Sequence, residues 1–274
     1  MIRRRHGGHW LLITQDDHAQ LSGQLARHIG NEFFAPLSQK AILGISMHDA
    51  GWPIHDEQPT LNSKNLPLDV FETPREIGVT VWAESTQRAA EADPYAGLLV
   101  SLHSLALSAM PVPESEQSVS SQMKDRFETN KFQHKQIEEQ EKLRHQLGMQ
   151  TDIPLALGLA KLGTDPADDQ LIFDFRWLQA LDQLSLIICC STTPLSGSAL
   201  VHPHVGQAVM GLSLPRAGQR RISTDPWPFN ESELSCTISG RLVPDQRWPS
   251  VEDFRRAYAN APIEEIDVTL RAEQ

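Results

Sequence analysis

The sequence predicts a mainly α-helical fold, a helical bundle with a small antiparallel β appendage at the C-terminal end. Two observations carry this. Apolar residues recur every three or four positions over 15–29, 36–49, 94–109 and 173–191, which is the spacing of one helix face. Towards the end the period becomes two: Leu234, Cys236 and Ile238 alternate with polar neighbours, as do Ile266, Val268 and Leu270. The expected organisation is a helical domain over 1–195, with an insertion at 111–150. A β-containing extension over 196–274 packs on it.

Taken in order, HWLLIT at 9–14 reads as a short strand, with Asp16 or Asp17 capping the helix that follows. On that helix His18, Leu21, Leu25 and Ile29 share a face. Pro36, which needs no N–H partner in a first turn, opens a second helix. There Ala41, Ile42, Ile45, His48 and Asp49 lie on one side, ending at Gly51 and Pro53. Residues 53–76, rich in Pro, Asn and Asp, read as a long surface loop. Helices follow near 77–92 and 94–109, and the apolar stripe of the second includes His103. A Pro/Ser/Glu/Gln loop occupies 111–121. The charged, Gln-rich segment 123–147 reads as a solvated helix touching the body through Phe127, Ile137, Leu143 and Leu147. The last long helix, 173–191, aligns Phe175, Leu178, Asp182, Ser185 and Cys189.

With 22% charged and 40% hydrophobic residues, the 274-residue chain has the composition of a soluble globular protein. Its 35 acidic against 24 basic residues give a formal charge of −11. That disfavours nucleic-acid polymers and anionic membranes, which are held by excess Lys and Arg. WLLI is too brief for a signal peptide, and no apolar run approaches the roughly 20 residues of a membrane span. Three cysteines without CxxC spacing read as buried free thiols, so the expected compartment is the reducing cytoplasm.

The chemistry concentrates in a few ionisable residues on apolar stripes. His48 and Asp49 close the run AILGISMHDAGW, where burial is costly unless something compensates both groups. A metal ion does so, and His18 and Asp182 supply further ligands. Alone, Asp182 also fits a helix-capping role or a pair with Arg176. Two imidazoles and two carboxylates form a mixed set that suits Mn, Fe, Co, Ni or Zn better than Ca. His103 reads either as a packed core histidine or as a group contacting substrate. Trp52, His55 and Asp56 fall at the expected rim. There Trp52 and His55 can contact a small-molecule substrate and Asp56 can act as general base, unless they are ordinary loop residues. His202 and His204 make a weak HxH pair. No phosphate-binding GxxxxGK[ST] loop, GxGxxG turn or GxSxG elbow occurs.

The order of a His, then His-Asp, then a distant Asp on an apolar helix resembles the HD-domain superfamily of metal-dependent phosphohydrolases. The stretches ITQDDHAQLSGQLA, HDAGWPIHDEQP, PYAGLLVSLHSLALS and DPWPF also resemble an uncharacterised family within it, domain of unknown function 3891. The resemblance implies an HD-like helical bundle binding one divalent metal through His18, His48, Asp49 and Asp182, with Asp49, His103 and Asp56 in catalytic roles. The implied reaction is hydrolysis of a small phosphate ester or nucleotide. HD-type folds also host di-iron oxygenases, which need extra ligands such as His103. A non-catalytic, metal-stabilised binding module is the third reading. His134 and His145, further histidines before the last Asp, sit on the polar helix.

Overall fold

The computed structural model describes residues 1–110, 119–150, 166–193, 195 and 197–272. It begins with a hairpin, β1 (Ile2–His6) and β2 (His9–Ile13), turned by Gly7 and Gly8. Both glycines have positive φ, as a two-residue turn matching the right-handed strand twist requires. Strand β2 pairs with β6 (Glu233–Pro244), β6 with β7 (Ile263–Arg271), and the short β5 (Arg221–Ile222) runs parallel beside β7. A separate hairpin joins β3 (Ser198–Val201) to β4 (Met210–Ser213).

This corrects the expected fold class. The β structure is no small C-terminal appendage to an all-helical bundle, but a five-stranded sheet, ordered β1-β2-β6-β7-β5, that draws on both ends of the chain. The alternating segments at 234–238 and 266–270 are indeed antiparallel neighbours, with Leu234 opposite Leu270 and Ile238 opposite Ile266. The first strand escaped because its sequence, IRRRH, carries charge where a core-facing strand carries apolar residues. Arg4 nevertheless points inward, and its guanidinium donates to the carbonyls of Ile188, Cys189 and Cys190. It thereby satisfies acceptors left open at a helix end. Arg3 and Arg5 flank the Trp10 ring, 5.2 and 4.4 Å from its centroid.

Helix α1 (Gln15–Arg27) is capped by Thr14 rather than Asp16 or Asp17, its hydroxyl accepting from the Asp17 N–H. Helix α2 (Gln39–Met47) is capped by Ser38, so Pro36 lies outside it. The expected loop 53–76 contains the short α3 (Pro53–Asp56) and a 3-10 turn at Val70–Glu72. Helices α4 (Arg75–Ala92) and α5 (Pro94–Ser108) follow, the second capped by Asp93. Then come α6 (Val119–Gln146), α7 (Pro166–Cys189) and α8 (Val251–Ala259). The expected loop at 111–121 falls mostly outside the described residues. Among those residues no helix is long and apolar enough to cross a membrane.

Leu21 and Leu25 of α1, Ile42 and Ile45 of α2, Leu98 and Leu102 of α5, and Leu178 and Leu181 of α7 share one core with Leu11, Ile238 and Val268 of the sheet. Each such buried side chain contributes about 1.5–3 kcal/mol. Helices α1 and α2 touch at Gly23, where a Cβ would lie 2.5 Å from that of Ser46. Only a glycine allows this approach, which carries His18 towards His48.

Helix α6 docks differently from its expected reading. Phe127 and Ile137 are exposed, whereas Phe132, Gln136, Gln140, Leu143 and Arg144 are buried. Gln136 accepts from the hydroxyls of Thr86 and Ser101, and Gln140 donates to Ser101. Beside the apolar contacts of Phe132, Leu143 and Leu147, the helix is held by buried polar contacts that an apolar count cannot detect.

Between α5 and α7 the Tyr95 hydroxyl donates to Asp174, 2.5 Å away, and Gln170 donates to the same oxygen. Burial raises the Asp174 carboxyl to about 6 against the opposing effect of these bonds. The folded state therefore holds this proton more tightly than the unfolded chain. Its contribution to stability is complete below about pH 4 and is lost as pH rises to about 6. Asp174→Asn is expected to flatten this fall, worth about 2–3 kcal/mol, in urea midpoints measured from pH 4 to 7. An unchanged slope would assign the fall to another group.

Candidate metal centre

Four elements bring five ionisable side chains to one place. His18 lies on the second turn of α1, His48 ends α2, Asp49 follows in the turn, His103 comes from α5 and Asp182 from the middle of α7. All five are buried, the most exposed being Asp182 at 8%. His18 Nε2 and His48 Nε2 stand 3.1 Å apart. Asp182 Oδ1 lies 3.2 Å from the first and 3.4 Å from the second. Asp49 Oδ2 is 3.6 and 3.8 Å from the same two atoms. His103 Nε2 is 3.4 Å from Asp182 Oδ2. The four expected ligands converge, and Arg176 bonds Gln179 instead of Asp182.

Hydrogen bonds behind the rings decide what the facing nitrogens can do. His48 Nδ1 is 2.7 Å from the Ile45 carbonyl, which can only accept, so Nδ1 carries the proton and Nε2 the lone pair. Ser185 Oγ stands 2.9 Å from the Asp182 carbonyl and 2.7 Å from His18 Nδ1; with its proton on the carbonyl it accepts from that ring and leaves His18 Nε2 the lone pair. Ser22 completes the chain, 2.7 Å from Ser185 Oγ. With the Ser185 proton on that carbonyl, the two neutral imidazoles turn lone pairs towards each other at 3.1 Å, with two carboxylates alongside. Such a set demands a cation.

Without a metal that cation is a proton. Burial opposes charge on His48, but Asp49 and Asp182 outweigh it and push its pKa up to about 9. His18 moves upward on the same balance, burial being outweighed by hydrogen bonds to Asp182 and Asp49. Asp182, despite its burial, is held well below the usual carboxylate range by the histidines around it. The electron pairs a proton satisfies here are those a divalent ion would take. Two groups, His18/His48/Asp49 and His48/His103/Asp182, each have donor atoms within 4.8 Å of one another and can hold a metal ion.

His103 stands apart, since neither of its ring nitrogens makes a hydrogen bond although both are buried. The other expected site residues are placed as follows. Trp52 is buried rather than at a rim, and its indole N–H donates to Asp49 Oδ1 at 3.1 Å. His55 packs against the Trp52 ring, the centroids 5.9 Å apart. Asp56 is buried between the Met1 ammonium, 2.9 Å away, and the Gln15 N–H, 2.7 Å away. His134 and His145 are exposed on α6, and His202 Nδ1 bonds the Gln207 carbonyl. Ser22 and Ser185 were missed as supporting residues. Their signal was spacing: Ser22 lies four residues after His18, and Ser185 three after Asp182, on the same helix faces.

No curated protein and no solved structure matches the chain. Residues 1–245 match the family described as a protein of unknown function, DUF3891, a span that includes every residue of the centre. The chain belongs to this family.

Proposed function

We propose that the chain is a metal-dependent phosphohydrolase of the HD type, acting on a small phosphate ester or nucleotide. One observation carries the reading: two imidazoles with their Nε2 atoms 3.1 Å apart, beside two carboxylates, at one buried point. The order of His18, His48-Asp49 and Asp182 along the chain supports it through the resemblance to HD phosphohydrolases. A divalent ion held there would supply a water of lowered pKa and polarise a phosphoryl oxygen. His18, His48, Asp49 and Asp182 hold it, and their burial keeps bulk water away. His103, whose Nε2 lies 3.4 Å from Asp182 Oδ2, is the residue we assign to hold or move a proton beside that carboxylate. Asp56 is engaged by the Met1 ammonium, so we give it no part in the reaction. His55 lies on α3, whereas Trp52 just before it is buried, so a substrate contact there is left to His55.

A second reading rests on a specific feature. His48 belongs to both triads and His103 adds a third imidazole to the cluster, an arrangement that also suits two ions and a di-iron oxygenase. The experiment that separates them is hydrolysis of p-nitrophenyl phosphate with added Mn²⁺ or Co²⁺, beside oxygen consumption after loading with Fe²⁺. We expect hydrolysis that falls to background with a chelator and in His48→Ala, while His103→Ala lowers turnover and retains most of the metal. Metal lost from His103→Ala, together with oxygen uptake, would favour the oxygenase. Bound metal with neither activity would favour a binding module.

A further inference from the structure

We infer that Trp52 is a positioning residue of the metal centre, turning Asp49 so that one carboxylate oxygen alone faces the ion. The inference rests on the metal reading above and goes beyond it by giving the site a means of choosing its ion. Asp49 has two oxygens with different surroundings. Oδ1 accepts the Trp52 indole N–H, whereas Oδ2 is the oxygen nearest His18 and His48. The indole offers a donor and no lone pair, so it cannot ligate a metal itself. Both residues are buried, Trp52 to 3% exposure and Asp49 to 6%, so water does not readily replace the bond.

The turn that carries the pair leaves it little freedom. The Trp52 N–H bonds the Asp49 carbonyl at 3.0 Å, and the Gly51 N–H bonds Ser85 Oγ at 2.9 Å. A Cβ at Gly51 would lie 2.1 Å from the Val81 carbonyl, so backbone presses directly on α4 there. Pro53 then fixes the start of α3, and His55 backs the indole. The segment HDAGWP thus holds ligand and positioning donor within one clamped turn.

This has a chemical consequence. Small transition-metal ions accept single-oxygen carboxylates within four to six ligands, whereas Ca²⁺ takes six to eight oxygens and gains from two-oxygen carboxylates. A bond that reserves Oδ1 for the indole penalises two-oxygen binding. Trp52 should therefore favour an ion such as Mn²⁺ or Zn²⁺ over Ca²⁺.

The test is Trp52→Phe, which keeps a ring in the core and removes the N–H. Mn²⁺ and Ca²⁺ affinities are titrated at one pH, with melting of the metal-free protein as control. We expect Mn²⁺ binding to weaken by about 10–100-fold, the usual loss when a ligand's supporting bond is removed. Ca²⁺ binding should be unchanged or tighter, so the Mn²⁺/Ca²⁺ ratio falls at least tenfold. An unchanged ratio, with both affinities intact or both weakened, would overturn the inference while leaving the metal reading in place. A wild-type protein that binds no transition metal would overturn both. Should Trp52→Phe fail to fold, the wild-type protein still decides. One of its six indole N–H resonances should shift on Zn²⁺ addition and stay protected from exchange. No shift, or loss of protection, would overturn the inference.

Discussion

Asp182→Asn is expected to abolish divalent-metal binding and with it all metal-dependent stabilisation. One carboxylate serves three imidazoles here: Oδ1 faces His18 and His48, and Oδ2 faces His103. The substitution keeps shape and removes the charge that offsets a buried cation. Wild-type protein should gain about 4 kcal/mol when free ion exceeds its dissociation constant a thousandfold, seen as a higher melting temperature. The variant should gain nothing and carry no metal by elemental analysis. One equivalent retained would show that the other ligands suffice and that Asp182 has a different task.

Arg144→Met should cost about 3–5 kcal/mol of folding stability, the price of stranding a buried charge. Arg144 Nη2 lies 2.7 Å from Asp168 Oδ1, both residues are buried, and Arg144 Nε donates to the Gln150 carbonyl. Methionine matches the arginine stem in length but leaves the Asp168 carboxylate uncompensated. Arg144→Met with Asp168→Leu should recover most of the loss, because an apolar pair of similar size replaces the ion pair without a stranded charge. Urea unfolding of the two variants measures the difference. A single variant as stable as wild type would mean that water reaches Asp168 and screens it.

The contrast between these two residues marks what the chain reveals before folding. Asp182 announced itself because a carboxylate among Leu178, Leu181, Leu184 and Leu186 violates a local pattern, and helix periodicity says which way it points. Arg144 sits in a mostly polar segment between Leu143 and Leu147, and a charged side chain beside sparse apolar contacts reads as solvated, so nothing local marked it as buried. Of the four expected contacts of α6, Leu143 and Leu147 pack on the core, whereas Phe127 and Ile137 are exposed and the buried Phe132, Gln136 and Gln140 take their place.

The sequence by itself determined most of the long helices to within a few residues, though α7 begins seven residues before the expected 173 and α8 went unseen. It also determined the antiparallel pair at 234–238 and 266–270 and the identity of four converging side chains. These follow from spacing along one segment, where backbone period alone sets which residues share a face. Only the tertiary structure decided that the first two strands join the last ones in a single sheet, since pairing between opposite ends of a chain leaves no trace in either segment. It also turned Arg4 inward, because three carbonyls at the end of α7 awaited a donor there. The tautomers of His18 and His48 and the tie of Trp52 to Asp49 belong to the same class. Each depends on a hydrogen bond to an atom whose position is set by packing.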